Sequence, residues 1–196
     1  MRTLLVAMVG TGLVVAMLAG CQPQTSYEDP DRVVLVDDKF NDTDLKQFAG
    51  KMADSILQFM AKEHPDKKPV VMVNRLDNKT SEHISTKGIT DKIITALMQG
   101  GKVRVVDETA RADVAKEYEY NAGGAVDPKT VKGPGKQTGA DYFLRGEILS
   151  DTHAGNKQKV QFYMITLKLT DIEKNEIVWQ ADDEIKKYTK RAKVGM

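Results

Sequence analysis

Residues 141–188 read DYFLRGEILSDT-HAGN-KQKVQFYMITLKLTD-IEKN-EIVWQADDEIKKY. Three strand-like runs, Asp141–Thr152, Lys157–Asp171 and Glu176–Tyr188, are separated by short joints rich in glycine, asparagine and charge, the spacing of consecutive hairpins. In the middle run Tyr163, Ile165, Leu167 and Leu169 alternate with Phe162, Met164, Thr166 and Lys168. A strand places alternate side chains on opposite faces, so one face is apolar throughout while the other turns polar. Such a sheet takes helices on one side.

Working towards the amino terminus, the helices and two more strands can be read off. From Asp44, the residues Leu45, Phe48, Met52, Ile56, Phe59 and Met60 recur every three or four positions. That periodicity marks an amphipathic helix ending before Pro65. Pro69–Asn74 is a short, continuously apolar run, the pattern of a buried strand. A second helix opens at Ser85 or Thr86, shows Ile89, Ile93, Ile94 and Leu97, and stops at Gly100-Gly101. Lys102–Asp107 is the next strand, and Glu108–Tyr120 is helical by composition until Ala122-Gly123-Gly124 breaks it. Asp127-Pro128 opens a short helix or turn. The fold class that follows is α/β in the broad sense, an α+β sandwich: a mixed sheet with an antiparallel C-terminal three-strand meander and helices packed against it.

The chain has 196 residues, 41% of them hydrophobic, enough for one ordinary core. Lys+Arg at 29 against Asp+Glu at 28 gives a net charge of +1 and no field to attract nucleic acid. The lone cysteine excludes an internal disulfide or a multi-cysteine zinc site. Met1–Gly20 has one charge, Arg2, and the apolar run Leu4–Leu18, a signal peptide pattern that is too short for a spanning helix. It ends in Leu18-Ala19-Gly20-Cys21, which resembles a bacterial lipobox, with the Cys21 thiol as the site of lipid attachment. Acyl chains on Cys21 would hold the chain to a membrane without spanning it. Gln22, which is not Asp, implies by the same resemblance an outer-membrane location facing the periplasm. Loss of the leader removes only Arg2, leaving 28 basic against 28 acidic residues.

The organisation is therefore a signal peptide at 1–20, a lipidated N-terminus and tether at 21–42, and one periplasmic globular domain at 43–196. The tether is roughly 22 residues and reaches at most about 75 Å. Within it, Val33-Val34-Leu35-Val36 is either part of the tether or a short strand at the domain edge.

Catalytic patterns are weak. Lys132-Gly133-Pro134-Gly135-Lys136-Gln137-Thr138 lacks the phosphate-loop spacing, since Thr130 and Gln137 stand where Gly and Ser or Thr are required. His64, His83 and His153 lie in separate segments with no metal-ligand spacing. There is no nucleophile elbow, and Cys21 is consumed by lipid. Asp182-Asp183-Glu184 and Glu117/Glu119 could flank a glycosidic bond, but their surroundings read as solvated surface. Trp179 reads as sheet packing. The chain is thus expected to be no enzyme, with no cofactor, no metal and no small-molecule substrate.

The segment Val73-Asn-Arg-Leu-Asp-Asn-Lys-Thr-Ser-Glu-His-Ile-Ser-Thr86 resembles the signature of LpoB-type lipoproteins, activators of class A penicillin-binding proteins. Gly101–Asp107, Gly139–Gly146, and Leu169–Asp171 leading to Glu176–Trp179 extend the likeness over about Pro69 to Lys190. The resemblance implies a fold related to the TolB amino-terminal domain and to curli-export lipoproteins. It also implies a function: binding a bifunctional synthase and stimulating peptidoglycan synthesis, hence cell wall biogenesis and cell shape, without chemistry of its own. The tether here is shorter than the proline-rich one of the best-known members. A second reading is an envelope assembly or scaffold lipoprotein of the curli-export kind.

Candidate partner-binding residues are Asn74, Arg75, Asn78, Thr80, Glu82, His83 and Arg145. All but Arg145 follow a buried strand and precede a helix, where rigid elements position binding loops. The same positions also fit a structural role, since Asn78 and Thr80 shape turns and Ser85 or Thr86 can cap the helix. Arg75 and Arg145 suit partner contact best, because guanidinium groups bind carboxylates in bidentate fashion.

Overall fold

The computed structural model describes residues 25–155 and 157–190. The leader and the Cys21 lipobox lie outside the described residues. Residues 25–32 make local contacts, including an Arg32–Glu28 ion pair of 2.6 Å.

From residue 33 the elements run α1 (Asp42–Glu63), β1 (Val70–Val73), β2 (Asp77–Asn78), α2 (Thr86–Gly100), β3 (Arg104–Val106), α3 (Arg111–Ala122), β4 (Tyr142–Gly155), β5 (Gln158–Asp171) and β6 (Glu176–Lys190). The six-stranded sheet has the order β3-β1-β4-β5-β6, with β2 also paired to β4. β1 runs parallel to β3 and β4, whereas β4, β5 and β6 form the antiparallel meander. The mixed sheet read from the sequence is the one observed.

Capping chemistry sets the helix ends. Asn41 caps α1 in a reciprocal box with Asp44, satisfying two backbone N–H groups that the first turn leaves without partners. Ser85 accepts a hydrogen bond from Gly88 N at the start of α2, and Gly101 ends it at φ 65°, a left-handed conformation glycine adopts without a Cβ clash. Asp127-Pro128 opens a turn: Asp127 O accepts from Thr130 N and Val131 N.

α1 and α2 cover one face of the sheet. Phe48, Ile56, Ile89, Ile93 and Leu97 pack against Tyr163, Ile165, Leu167 and Leu169, all at most 1% exposed. Each fully buried aliphatic or aromatic side chain contributes about 1.5–3 kcal/mol. The apolar alternation in β5 is the inner face of this core. α3 contributes no side chain to it; only Asn121 is buried there, its Nδ2 donating to Lys132 O at 3.1 Å. Val33–Val36 forms no strand, and its side chains are 46–89% exposed. Trp179 and Val178 pack on the margin of the core.

The segment just before α1 is strapped to the meander. Asp38 Oδ2 lies 3.0 Å from Lys159 Nζ, and Lys187 Nζ both donates to Lys39 O and pairs with Asp44 Oδ2 at 2.5 Å. Phe40 sets its ring edge-on to Tyr163, with centroids 5.6 Å apart.

Candidate functional site

The β1–α2 connection carries six of the seven candidate residues, and its path is set by β4. Val73 pairs with Leu144 and Asp77 with Glu147, so three residues, Asn74–Leu76, face only Arg145 and Gly146. The surplus residue makes the chain bulge, which lets Val73 and Leu76 both point into the core. Leu76 N donates to Thr90 Oγ1 at 3.4 Å, and Asn74 N donates to Leu144 O at 2.9 Å. Asn74 Oδ1 is buried and, among the described residues, has no hydrogen-bond partner.

Beyond β2 the loop is knotted by its own side chains. Asn78 Nδ2 donates to Glu82 O at 2.8 Å, while Asn78 Oδ1 accepts from Thr80 N at 3.0 Å and from Thr80 Oγ1 at 2.7 Å. Thr80 Oγ1 in turn accepts from Glu82 N at 3.1 Å. Lys79 N donates to Ile148 O, fixing the knot to β4.

Glu82 turns inward. Its Oε1 accepts the Tyr163 hydroxyl at 2.6 Å, and its Oε2 accepts Phe40 N at 3.3 Å. Burial, with the Glu82 hydrogen bond second, pushes the Tyr163 phenol well above its ordinary range, so it remains a donor. One carboxylate thus joins the loop, β5 and the strap before α1. Sequence reading could not find this arrangement, because its partners lie 42 and 81 positions away.

The outward groups are different. Arg75 is exposed, with its Nε donating to Thr86 Oγ1 at 3.1 Å. His83 is exposed. Arg145 sits on the sheet face away from α1 and α2, its guanidinium carbon 5.1 Å from the Phe143 ring centroid. There it lines a shallow cleft of about 190 Å³ with Asp77, Glu147 and Lys168. The register sets Arg145 opposite Lys168, two like charges side by side, with the carboxylates of Asp77 and Glu147 lining the same cleft. Asn78, Thr80 and Glu82 are therefore spent on shaping the loop, whereas Arg75, His83 and Arg145 face solvent around it.

Among the described residues no group of three or more His, Cys, Asp or Glu side chains could hold a metal ion. None of the described helices is long and apolar enough to cross a membrane.

A family model for the peptidoglycan-synthase activator LpoB matches residues 44–185. No curated protein matches the chain. Among solved structures the chain is similar to the LpoB C-terminal domain from Salmonella enterica, at 16% identity over 72% of this chain and 98% of that one, TM-score 0.43. The LpoB C-terminal domain from Escherichia coli matches at 15% identity over 72% and 98%, TM-score 0.42. Lipoprotein GNA1162 from Neisseria meningitidis matches at 15% over 61% and 83%, TM-score 0.41.

Proposed function

The chain belongs to the LpoB family of peptidoglycan-synthase activators, and from that premise we propose that it stimulates a class A penicillin-binding protein by docking on it, without chemistry of its own. In this reading the chain is held by lipid on Cys21 to the outer membrane, with its single domain in the periplasm; because Asp38–Asn41 pack on that domain and α1 begins at Asp42, the tether is shorter than the 21–42 read from the sequence.

The observation that carries the reading is the division of labour in the β1–α2 loop. Asn78, Thr80 and Glu82 lock its shape from within, which leaves Arg75 and Arg145 outward on a frame fixed by β1, β4 and α2. A preformed loop loses little freedom on binding, so more of each contact survives as affinity. Two exposed guanidinium groups can take carboxylates of a partner in bidentate fashion.

The test uses the lipidated full chain in detergent and a purified class A synthase acting on lipid II. Stimulation of glycan polymerisation is expected, and the variant Arg75→Glu with Arg145→Glu should abolish it while lowering the unfolding free energy by no more than about 2 kcal/mol, the cost of the Arg75–Thr86 hydrogen bond and the Arg145–Phe143 contact. A full chain that neither binds the synthase nor alters its rate refutes the proposal.

A further inference from the structure

At the end of the sheet opposite the β1–α2 loop lies an open polar cleft of about 780 Å³. Lys67 and Lys68 lead into β1 and Arg104 opens β3, whereas Asp171 closes β5 and Glu173 lies in the turn after it. The strand order β3-β1-β4-β5 therefore sets the cations on one wall and these carboxylates on the other. Neighbouring strands lie about 4.8 Å apart, so the walls are separated by roughly 10–14 Å.

That separation leaves the charges unpaired. Among the described residues the side chains of Lys67, Lys68, Arg104 and Glu173 have no ion pair and no hydrogen bond. Where opposite charges do come close on this surface they pair, as in Lys51 with Asp183 at 3.0 Å and Lys87 with Asp91 at 2.6 Å; in the cleft the separation of the walls prevents it. Asp141, between the walls, spends its Oδ2 on Val70 N at 2.7 Å, and Asp171 spends its Oδ1 on Glu173 N and Lys174 N. The floor is polar: Tyr142, 8% exposed, sets its hydroxyl 2.8 Å from His64 Nε2. Burial, followed by the nearby carboxylates Asp171 and Asp141, raises the Tyr142 phenol and keeps its proton in place.

A cleft with a positive and a negative wall selects a ligand with two separated charges of opposite sign. A polyanion is repelled by the Asp171–Glu173 side. An α-amino acid, with both charges on one carbon, reaches one wall only. Two extended residues span about 7 Å, and a lysine-type side chain adds its own length sideways, so an amine two residues before a terminal carboxylate meets both walls. We propose that this cleft binds a short peptide carrying a free side-chain amine two residues before a free C-terminal carboxylate. The peptide is bound and not turned over, and the site is independent of the synthase-docking surface.

The probe is Nα-acetyl-Lys-D-Ala-D-Ala, titrated into the isotope-labelled full chain in detergent micelles and followed by backbone amide shifts. Saturable shifts are expected at Arg104, Tyr142 and Asp171, none of them in residues 74–86. Arg104→Gln and Glu173→Gln, both at exposed side chains without partners, should each weaken binding about two- to fivefold, the range for an exposed ion pair. Peptides with the ε-amine acetylated or the carboxylate amidated should lose affinity to the same degree. The proposal is overturned if no saturable shift appears at millimolar peptide, if the blocked peptides bind as well as the free one, or if the shifts map to the β1–α2 loop. Synthase stimulation by Arg104→Gln should equal that of the parent, so loss of peptide binding and loss of the activator reading register in separate assays.

Discussion

Removing the Glu82 carboxylate tests whether the β1–α2 loop is held from inside. Glu82 accepts the Tyr163 hydroxyl at 2.6 Å and Phe40 N at 3.3 Å, and Tyr163 is fully buried. A hydrogen bond to a charged group contributes about 1.5–3 kcal/mol, and without Glu82 the Tyr163 hydroxyl keeps only the long contact to Asp38 O at 3.4 Å. Glu82→Ala should therefore cost about 2–3 kcal/mol, or roughly 4–12 °C in Tm at about 2–4 °C per kcal/mol for a chain of this size. Glu82→Gln keeps an acceptor but not the charge and should cost about 1 kcal/mol. The decisive measurement is a double-mutant cycle with Tyr163→Phe by urea denaturation, in which a coupling of about 1–2 kcal/mol is expected. In parallel, hydrogen exchange at the Lys79 and Ile84 amides, which donate to Ile148 O and Glu82 O, should accelerate in Glu82→Ala. Additive single mutants, with a coupling below about 0.3 kcal/mol, refute the reasoning.

Four further outcomes follow from particular residues. Lys157 sits at φ 73°, where an L side chain costs about 1 kcal/mol, so Lys157→Gly should raise Tm by about 2–4 °C in calorimetry. Gly146 faces Leu167 across the β4–β5 ladder, and a Cβ there would lie 2.5 Å from Thr166 O, so Gly146→Ala should lose at least about 2 kcal/mol by urea denaturation. The Lys159 hydrogen bond to Asp38, with Thr189 a smaller cause, holds the Asp38 carboxyl below its ordinary value; its contribution is present above about pH 4 and is lost as pH falls through the lowered folded value. The stability difference between the parent and Asp38→Asn should accordingly shrink in denaturation curves taken at increasingly acid pH. Cys21→Ser should leave the denaturation curve unchanged, release the chain from the outer-membrane fraction and spare stimulation of a purified synthase; continued membrane fractionation rules out the lipid anchor.

What the sequence disclosed was local. Ser85 and Gly101 announce the ends of α2 because caps act over three or four residues, whereas the Asn41 cap of α1 went unread; the alternation of Tyr163, Ile165, Leu167 and Leu169 discloses a face because a strand has period two. β2 was invisible, since two residues, Asp77 and Asn78, carry no pattern of their own and become a strand only by lying beside Glu147 and Ile148. The detachment of α3 from the core was equally hidden, for Val114 and Tyr118 are apolar enough to suggest burial. Asn78 and Thr80 were readable as turn formers, whereas Glu82 gave no sign of its inward aim, because hydrogen bonding to Phe40 and Tyr163 depends on the tertiary fold.

The same carboxylate has a consequence for the path from tether to loop. The strap at 38–41 is gripped by Lys159, Lys187 and Tyr163, all on the meander, and Glu82 reaches it from the β1–α2 loop. Both Glu82 hydrogen bonds are charge-assisted and partly buried, and they add to the half-buried Lys159–Asp38 pair and the nearly buried Lys187–Asp44 pair. The loop is held internally by Asn78 and Thr80 and on β4 by Lys79 N, and the hydrogen bond from Phe40 N to Glu82 Oε2 ties the chain entering α1 to it as well. A chain begun at residue 43 would lose Asn41, which caps α1, Phe40, which packs edge-on against Tyr163, and the Phe40 N donor to Glu82, so its loss of stability should exceed that of Glu82→Ala in the same urea denaturation measurement.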